Sequence, residues 1–157
     1  MRDATRADAP ALAEFNRRIA HETENLSLIP EVIRRGVEAV FDDPARGFYV
    51  VAEARAELIA SLMVTTEWSD WRNGAFWWIQ SVYVIREWRR RGVYQSLYRH
   101  VRERAARDSG VCGFRLYVER DNRVAQQTYA AAGMRQTRYN LFEQLKPDVA
   151  FHLDQDK

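Results

Sequence analysis

The segment from Phe76 to Val118 constrains this chain most. It opens with FWWIQSVYVI, a run rich in aromatic and β-branched residues that suits a strand covered on both faces. An arginine-rich turn containing Gly92 follows at once. From Tyr94 onward Leu97, Tyr98, Val101 and Ala105 recur on one helix face, with Arg99, Arg102, Glu103 and Arg107 on the other. Ser109 and Gly110 stop that helix, and Cys112 to Val118 reads as a second strand. A strand–helix–strand unit of this length predicts a parallel strand pair joined by a right-handed crossover.

The flanking sequence adds antiparallel pieces. Met1 to Thr5 reads as a short edge strand. A helix follows Asp8, with Leu12, Phe15 and Ile19 at helical spacing and Thr5 or Asp8 as its cap. His21 to Ser27 is a polar connection. A second amphipathic helix runs from Pro30 through Ile33, Val37 and Val40 to the stop signals Asp42, Asp43, Pro44 and Gly47. Phe48 to Glu53 and Glu57 to Thr66 read as a hairpin, and Glu67 to Gly74 as a tryptophan-bearing polar loop. After the crossover, Asp121 or Asn122 caps a helix through Ala132, and Gly133 closes it. Arg135 to Gln144 reads as a last strand. The expected class is α/β, or α+β with a mixed sheet, in a single domain over residues 1–157.

Several function classes are disfavoured. The formal net charge is only +2, which gives no global reason to bind nucleic acid. The start lacks an apolar leader, and no apolar run is long enough to span a bilayer, so a soluble, cytoplasmic protein without a membrane partner is expected. The single cysteine, Cys112, excludes an internal disulfide and is expected to be a buried thiol. His21, His100 and His152 are isolated from cysteines and from one another, so no metal is expected. No Gly-Lys-Ser/Thr follows a glycine-rich loop, and only Gly92 is available for a dinucleotide fingerprint. Ser81, Ser96 and the histidines form no recognisable nucleophile motif.

The junction Val82-Tyr83-Val84 … Arg89-Arg90-Arg91-Gly92-Val93-Tyr94-Gln95 carries the chemistry. The first N–H groups of a helix have no internal partner, and the helix dipole adds partial positive charge there. A glycine lets the backbone approach an anion, and arginines add fork-shaped donors. A pyrophosphate suits such a turn. Arg89-x-x-Gly92-x-Tyr94 resembles the Gln/Arg-x-x-Gly-x-Gly/Ala signature of the GNAT superfamily of N-acetyltransferases. Asn122-x-x-Ala125-x-x-x-Tyr129-x-x-x-Gly133-Met134 resembles that family's downstream segment, in the same order and spacing.

The resemblance implies a mixed, mostly antiparallel central sheet with a parallel central pair and flanking helices. It implies acetyl-CoA as co-substrate. Arg89, Arg90, Arg91, Gly92, Val93, Tyr94 and Gln95 would line its pyrophosphate. Val82, Tyr83 and Val84 would pair their backbone with the pantetheine arm, with Asn122 and Ala125 beside it. Tyr129 would protonate the departing thiolate. A phenol with a pKa of about 10 is a suitable acid for a thiolate whose conjugate acid lies near ~8.5. Tyr94 departs from the pattern at the second small position. Binding survives if its ring runs along the helix and fails if it fills the groove.

The acceptor would be a primary amine on a small molecule or peptide, acetylated by direct transfer, and a homodimer is among the states the family adopts. Glu22, Glu24, Asp70 and Glu119 are the candidate proton acceptors, and no single one is preferred. Glu24, Trp68 and Trp71 are candidates for the acceptor side. Two other readings remain: a catalytically silent acyl-CoA sensor, and a basic nucleic-acid-binding module using the face from Arg86 to Arg107.

Overall fold

In the computed structural model, which describes Met1–Leu153, the chain runs β1 (Arg2–Asp3), α1 (Ala9–Glu24), β2 (Ser27–Leu28), α2 (Pro30–Asp42), β3 (Phe48–Ala54), β4 (Glu57–Ser69), β5 (Gly74–Val84), α3 (Val93–Ala105), β6 (Val111–Leu116), α4 (Arg123–Ala131) and β7 (His152–Leu153). The residues group into two bodies. One holds Met1–Leu116 with the C-terminal residues from Phe151, and the other holds Tyr117–Ala150. Among the described residues no helix is long and apolar enough to cross a membrane.

The first body is built on a five-stranded sheet of order β1-β3-β4-β5-β6. Its neighbours are antiparallel except β5 and β6, which run parallel as the crossover demands. Alternation along β3 sends Tyr49 and Val51 to one face, where α1 and α2 cover them with Leu12, Ala13, Val37 and Val40. On the opposite face α3 brings Tyr98 edge-on to Phe114, 5.6 Å between centroids, and lays Arg104 over Phe48 at 3.7 Å. Leu12, Val50, Leu62, Val64, Leu97 and Val101 lose all contact with solvent. The β3–β4 turn puts Arg55 and Ala56 both in the left-handed region, at φ 53° and 64°, which matches the twist of a two-residue hairpin.

The structure differs from the sequence-based expectations at five places. Helix α1 continues through His21–Glu24 and closes on Asn25 in the left-handed conformation, so the polar connection is shorter than its composition suggests. Strand β4 runs on to Ser69, pairing Glu67 with Phe76 and Trp68 with Ala75. Glu67 is stable in a strand because the Trp78 indole and the Arg115 guanidinium both donate to its carboxylate. Cys112 is exposed rather than buried. Pairing passes from Ala75↔Val111 to Phe76↔Gly113, which leaves Cys112 as the extra residue of a bulge on the edge strand. Residues 135–144 form no strand. The C-terminal strand is instead β7, which pairs antiparallel with β2 through Leu28↔His152.

The second body is organised by α4. The Asn122 carboxamide oxygen accepts the Ala125 N–H at 3.0 Å, capping the helix. Gly133, at φ +88°, closes it, and the Met134 N–H returns to the Tyr129 carbonyl at 3.0 Å. Ala125 and Tyr129 therefore lie one turn apart on one face.

The start of the chain is fastened by Arg2, which donates to both oxygens of Asp8 at 2.8 and 2.9 Å. That hydrogen bond from Arg2, against a burial cost, holds the Asp8 carboxyl down at about 2. A lowered folded value stabilises the protein above the unfolded value and is lost as pH falls through the folded one. Because the Arg2 side chain is 37% exposed, solvent screening reduces the benefit. Asp8→Asn is expected to cost about 1–2 kcal/mol at neutral pH. Urea unfolding at a series of pH values should show the gap from the parent closing between about pH 4 and pH 2.

Candidate acyl-donor site

The site begins where two strands part. The parallel ladder runs from Ala75↔Val111 to Ile79↔Leu116 and ends there, while β5 continues to Val84. Over Gln80–Val84 β5 keeps β4 on one side, through Met63↔Gln80, Ser61↔Tyr83 and Ala60↔Val84. Among the described residues its other edge has no strand partner. A bulge falls at the same place. Two residues of β5, Ser81 and Val82, stand opposite Leu62, and Ser81 takes φ +47°. A bulge bends its strand and sharpens the twist, and it directs the end of β5 away from the line of β6.

Beyond Val84 the chain makes a 3-10 turn at Arg86–Trp88, then the turn Arg89–Gly92, then α3. Arg90 and Gly92 both take left-handed conformations, at φ +60° and +74°. Gly92 is the N-cap of α3 and supplies no side chain to the helix start. Its carbonyl accepts the Ser96 N–H at 3.0 Å, which begins the helical ladder. The amides of Val93, Tyr94 and Gln95 precede that ladder and point out of the helix end. Successive N–H groups in such a turn form a concave anion receptor. A Cβ built on Gly92 would meet nothing nearer than the Gln95 Oε1 at 4.0 Å. Position 92 itself is therefore uncrowded, and its left-handed φ rather than packing is what favours glycine.

The Tyr94 ring is directed along the helix. It lies parallel to the Tyr98 ring, 6.0 Å apart at an interplanar angle of 4°. The i, i+4 stack carries the ring along α3, so position 94 presents its amide rather than its side chain.

Charge around the turn is divided between two roles. Arg90 and Arg91 are exposed, and Arg91 lies over the Trp88 ring at 5.4 Å. Arg89, also exposed, folds back on the strand end. Its Nε donates to the Val84 carbonyl at 2.8 Å, a terminal nitrogen donates to Glu22 at 2.7 Å, and the guanidinium sits 5.4 Å from the Tyr83 ring centre. The Tyr83 hydroxyl donates to the other Glu22 oxygen at 3.1 Å, and the Arg86 Nε lies 3.8 Å from it. Burial pushes the Glu22 carboxyl up, but the Arg89 hydrogen bond and charge, the Tyr83 hydroxyl and Arg86 outweigh it and hold it below the usual range. Glu22 is thus a weak proton acceptor.

A family model described as Acetyltransferase (GNAT) family matches residues 11–134. The chain belongs to the GNAT acetyltransferase family. A solved structure of a possible acetyltransferase from Clostridium difficile 630 is 40% identical, with a TM-score of 0.86 over 92% of this chain and 95% of that one. A probable acetyltransferase is 25% identical, with a TM-score of 0.80 over 95% and 100% of the two chains. AAC(6')-Iy, solved with the bisubstrate analogue CoA-S-monomethyl-acetylneamine, shares the fold at 14% identity and a TM-score of 0.72, over 92% and 96%. No curated relative matches the sequence.

GNAT proteins are acyltransferases that use acetyl-CoA, and the turn described above fits its pyrophosphate: outward amides, an uncrowded glycine at position 92, and two exposed arginines. Of the residues expected at the donor site, the structure brings Val82, Tyr83, Val84 and Arg89 through Gln95 together in the first body. Asn122, Ala125 and Tyr129 come together on α4 in the second. Asn122 accepts the helix cap on its carbonyl oxygen, which orients the side chain and leaves its NH₂ for a ligand. Tyr129 is half-buried, and burial pushes its phenol above the usual tyrosine value.

The acceptor-side candidates are not gathered at the turn. Trp68 and Trp71, 64% and 86% exposed, lie at the β4–β5 hairpin, where β5 begins rather than where it ends. At about 3.3 Å per residue the length of β5 separates them from Val84 by roughly 30 Å. The strand direction therefore sets Trp68 and Trp71 at the opposite end of β5 from Val84. Asp70 occupies the same hairpin, and its carboxylate accepts the Trp71 N–H. Glu24 is the exposed last residue of α1. Glu119 accepts the Asp121 N–H in the second body. Sequence reasoning missed the bracket formed by Glu22, Arg86 and Arg89. Its members lie up to 67 residues apart, so no local pattern signals it.

Gly92→Ala should test the turn's backbone. The new methyl meets open space, so the penalty is conformational, about 1–2 kcal/mol for a left-handed non-glycine residue. Chemical unfolding without ligand should show that loss, and a stability equal to the parent's would mean that position 92 is not held left-handed.

Proposed function

We propose that this protein transfers an acetyl group from acetyl-CoA directly to a primary amine of a small-molecule or peptide acceptor. The observation that carries the reading is the outward row of amides at the start of α3, one pair of turns after a strand end with one open edge. An extended pantetheine chain can add to such an edge as a further strand does, through backbone hydrogen bonds. The amides of Val93–Gln95, with Arg90 and Arg91, then bind the pyrophosphate electrostatically.

The chemistry needs a polarised carbonyl, an unprotonated amine and an acid for the leaving thiolate. A backbone N–H of Val82–Val84 on the open edge would stabilise charge developing on the carbonyl oxygen. The likeness of Asn122 to Met134 to the family segment supports Tyr129 as the acid. The phenol is protonated through neutral pH, as a tyrosine at or above its ordinary value is, so it holds a proton to give. The lowered pKa of Glu22 argues against that carboxylate as the base and favours removal of the amine proton by water or another group. The bisubstrate complex of AAC(6')-Iy joins CoA to an acetylated amine, and the shared fold supports one site for both substrates.

Two measurements test this reading. CoA at about a hundred times its dissociation constant should stabilise the fold by roughly 2.7 kcal/mol, and a melting curve unmoved at saturation would refute the donor site. Tyr129→Phe should lower turnover by about a hundredfold or more while leaving CoA affinity nearly unchanged. Turnover equal to the parent's would remove Tyr129 from the mechanism.

A further inference from the structure

Glu22 presents a chemical puzzle beside an anion site. A carboxylate there opposes a pyrophosphate by charge alone. Yet its side chain is only 20% exposed, although the residue as a whole is exposed through its backbone, and it is reached by Tyr83, Arg89 and Arg86. The docking of α1 does not need it. Phe15 already packs on Tyr83 with ring centres 5.0 Å apart, and Leu12, Ala13 and Ala20 are buried along the same helix. What Glu22 adds is a charged partner for the Arg89 guanidinium, which also meets the Val84 carbonyl and the Tyr83 ring. Arg89 in turn ties residue 89 back to the Val84 carbonyl, so the intervening 3-10 turn is closed at its base like a stapled loop. The amides of the anion receptor begin at Val93, one short turn beyond that staple.

We infer that Glu22 is a positioning residue for the acyl-donor site, acting through Arg89 to hold the turn so that the α3 amides face the pyrophosphate. This rests on the reading that the turn binds CoA. The two arginines and the one carboxylate leave one positive charge at the bracket, so the cluster remains attractive to an anion while its geometry is fixed. Without the carboxylate, Arg86 and Arg89 repel one another and the Val84–Arg89 closure loosens. Helix α1 leads into the Asn25–Ile29 connection, so the same bracket couples that connection to the donor turn.

Calorimetric titration of CoA and steady-state kinetics on five proteins test the inference: parent, Glu22→Gln, Glu22→Asp, Arg89→Ala and the Glu22→Gln/Arg89→Ala double variant. Glu22→Gln keeps the shape and removes the charge. It is expected to weaken CoA binding by about tenfold, a typical loss for one charge-assisted contact, with the effect falling on KM for acetyl-CoA more than on kcat. The double variant is expected to bind CoA no more weakly than Arg89→Ala, because a residue acting through another adds nothing once the other is gone. Glu22→Asp, which restores the charge, should recover part of the loss. CoA binding by Glu22→Gln as tight as or tighter than by the parent would overturn the inference, as would losses that simply add in the double variant. A parent that binds no CoA would overturn the donor-site reading and this inference with it. A parent that binds normally beside unaffected variants would overturn this inference alone.

Discussion

The arrangement depends on the early end of one ladder. The β5–β6 pair stops at Ile79↔Leu116, and β5 runs on through Val84 with β4 on one side only. Exposed strand edges are normally avoided, since their unpaired N–H and C=O groups invite pairing with whatever is extended and nearby. Here the open stretch is short and bent by the Ser81 bulge, and it leads through the Arg86–Gly92 turns into a helix start that is itself short of acceptors. Two sets of unsatisfied backbone groups therefore fall in succession along the chain. One suits an extended amide-bearing chain and the other suits an anion, which is the order in which pantetheine and pyrophosphate occur in CoA.

Much of this was legible in the sequence because it is local. The β-branched run, the glycine, and the apolar face Leu97–Tyr98–Val101 follow one another without interruption, and each has its own periodicity. The α4 segment was readable for the same reason: Asn122 caps, Gly133 closes, and the Ala125–Tyr129 spacing is set by the helix itself. What the sequence hid is non-local. Glu67 has the look of a loop residue until Trp78 and Arg115 are brought to it across two strand pairings. Cys112 has apolar neighbours, yet a one-residue bulge turns it outward. The β2–β7 pair joins residues more than a hundred positions apart through strands too short to show a pattern.

The segment after α4 shows the converse. Arg135 to Gln144 carries strand-like residues, and local propensity favours extension. Extension alone makes no strand, because a strand exists only against a partner that accepts its hydrogen bonds. Tyr139, Leu141 and Phe142 are exposed in this chain, so the apolar pattern there is not matched by burial. The pattern reported a capacity for pairing rather than a pair.

The division of labour among the arginines follows from the same geometry. A run of three like charges at a helix N-terminus is unfavourable, since the dipole and the neighbours all repel. Arg89 escapes by folding back to a carbonyl and a carboxylate, which takes its charge out of the front of the turn and makes it a structural member. Arg90 and Arg91 stay in solvent, where their mutual repulsion is screened. On the proposed reading, an incoming diphosphate would meet amides that are already aimed, together with two exposed guanidinium groups whose repulsion it would relieve. Preorganised backbone donors lose little entropy on binding, whereas long side chains lose more. The recognition energy at such a turn should therefore reside mainly in the amides, with Arg90 and Arg91 adding attraction at longer range, and that ordering explains why the glycine, rather than any single arginine, is the residue the turn's conformation requires.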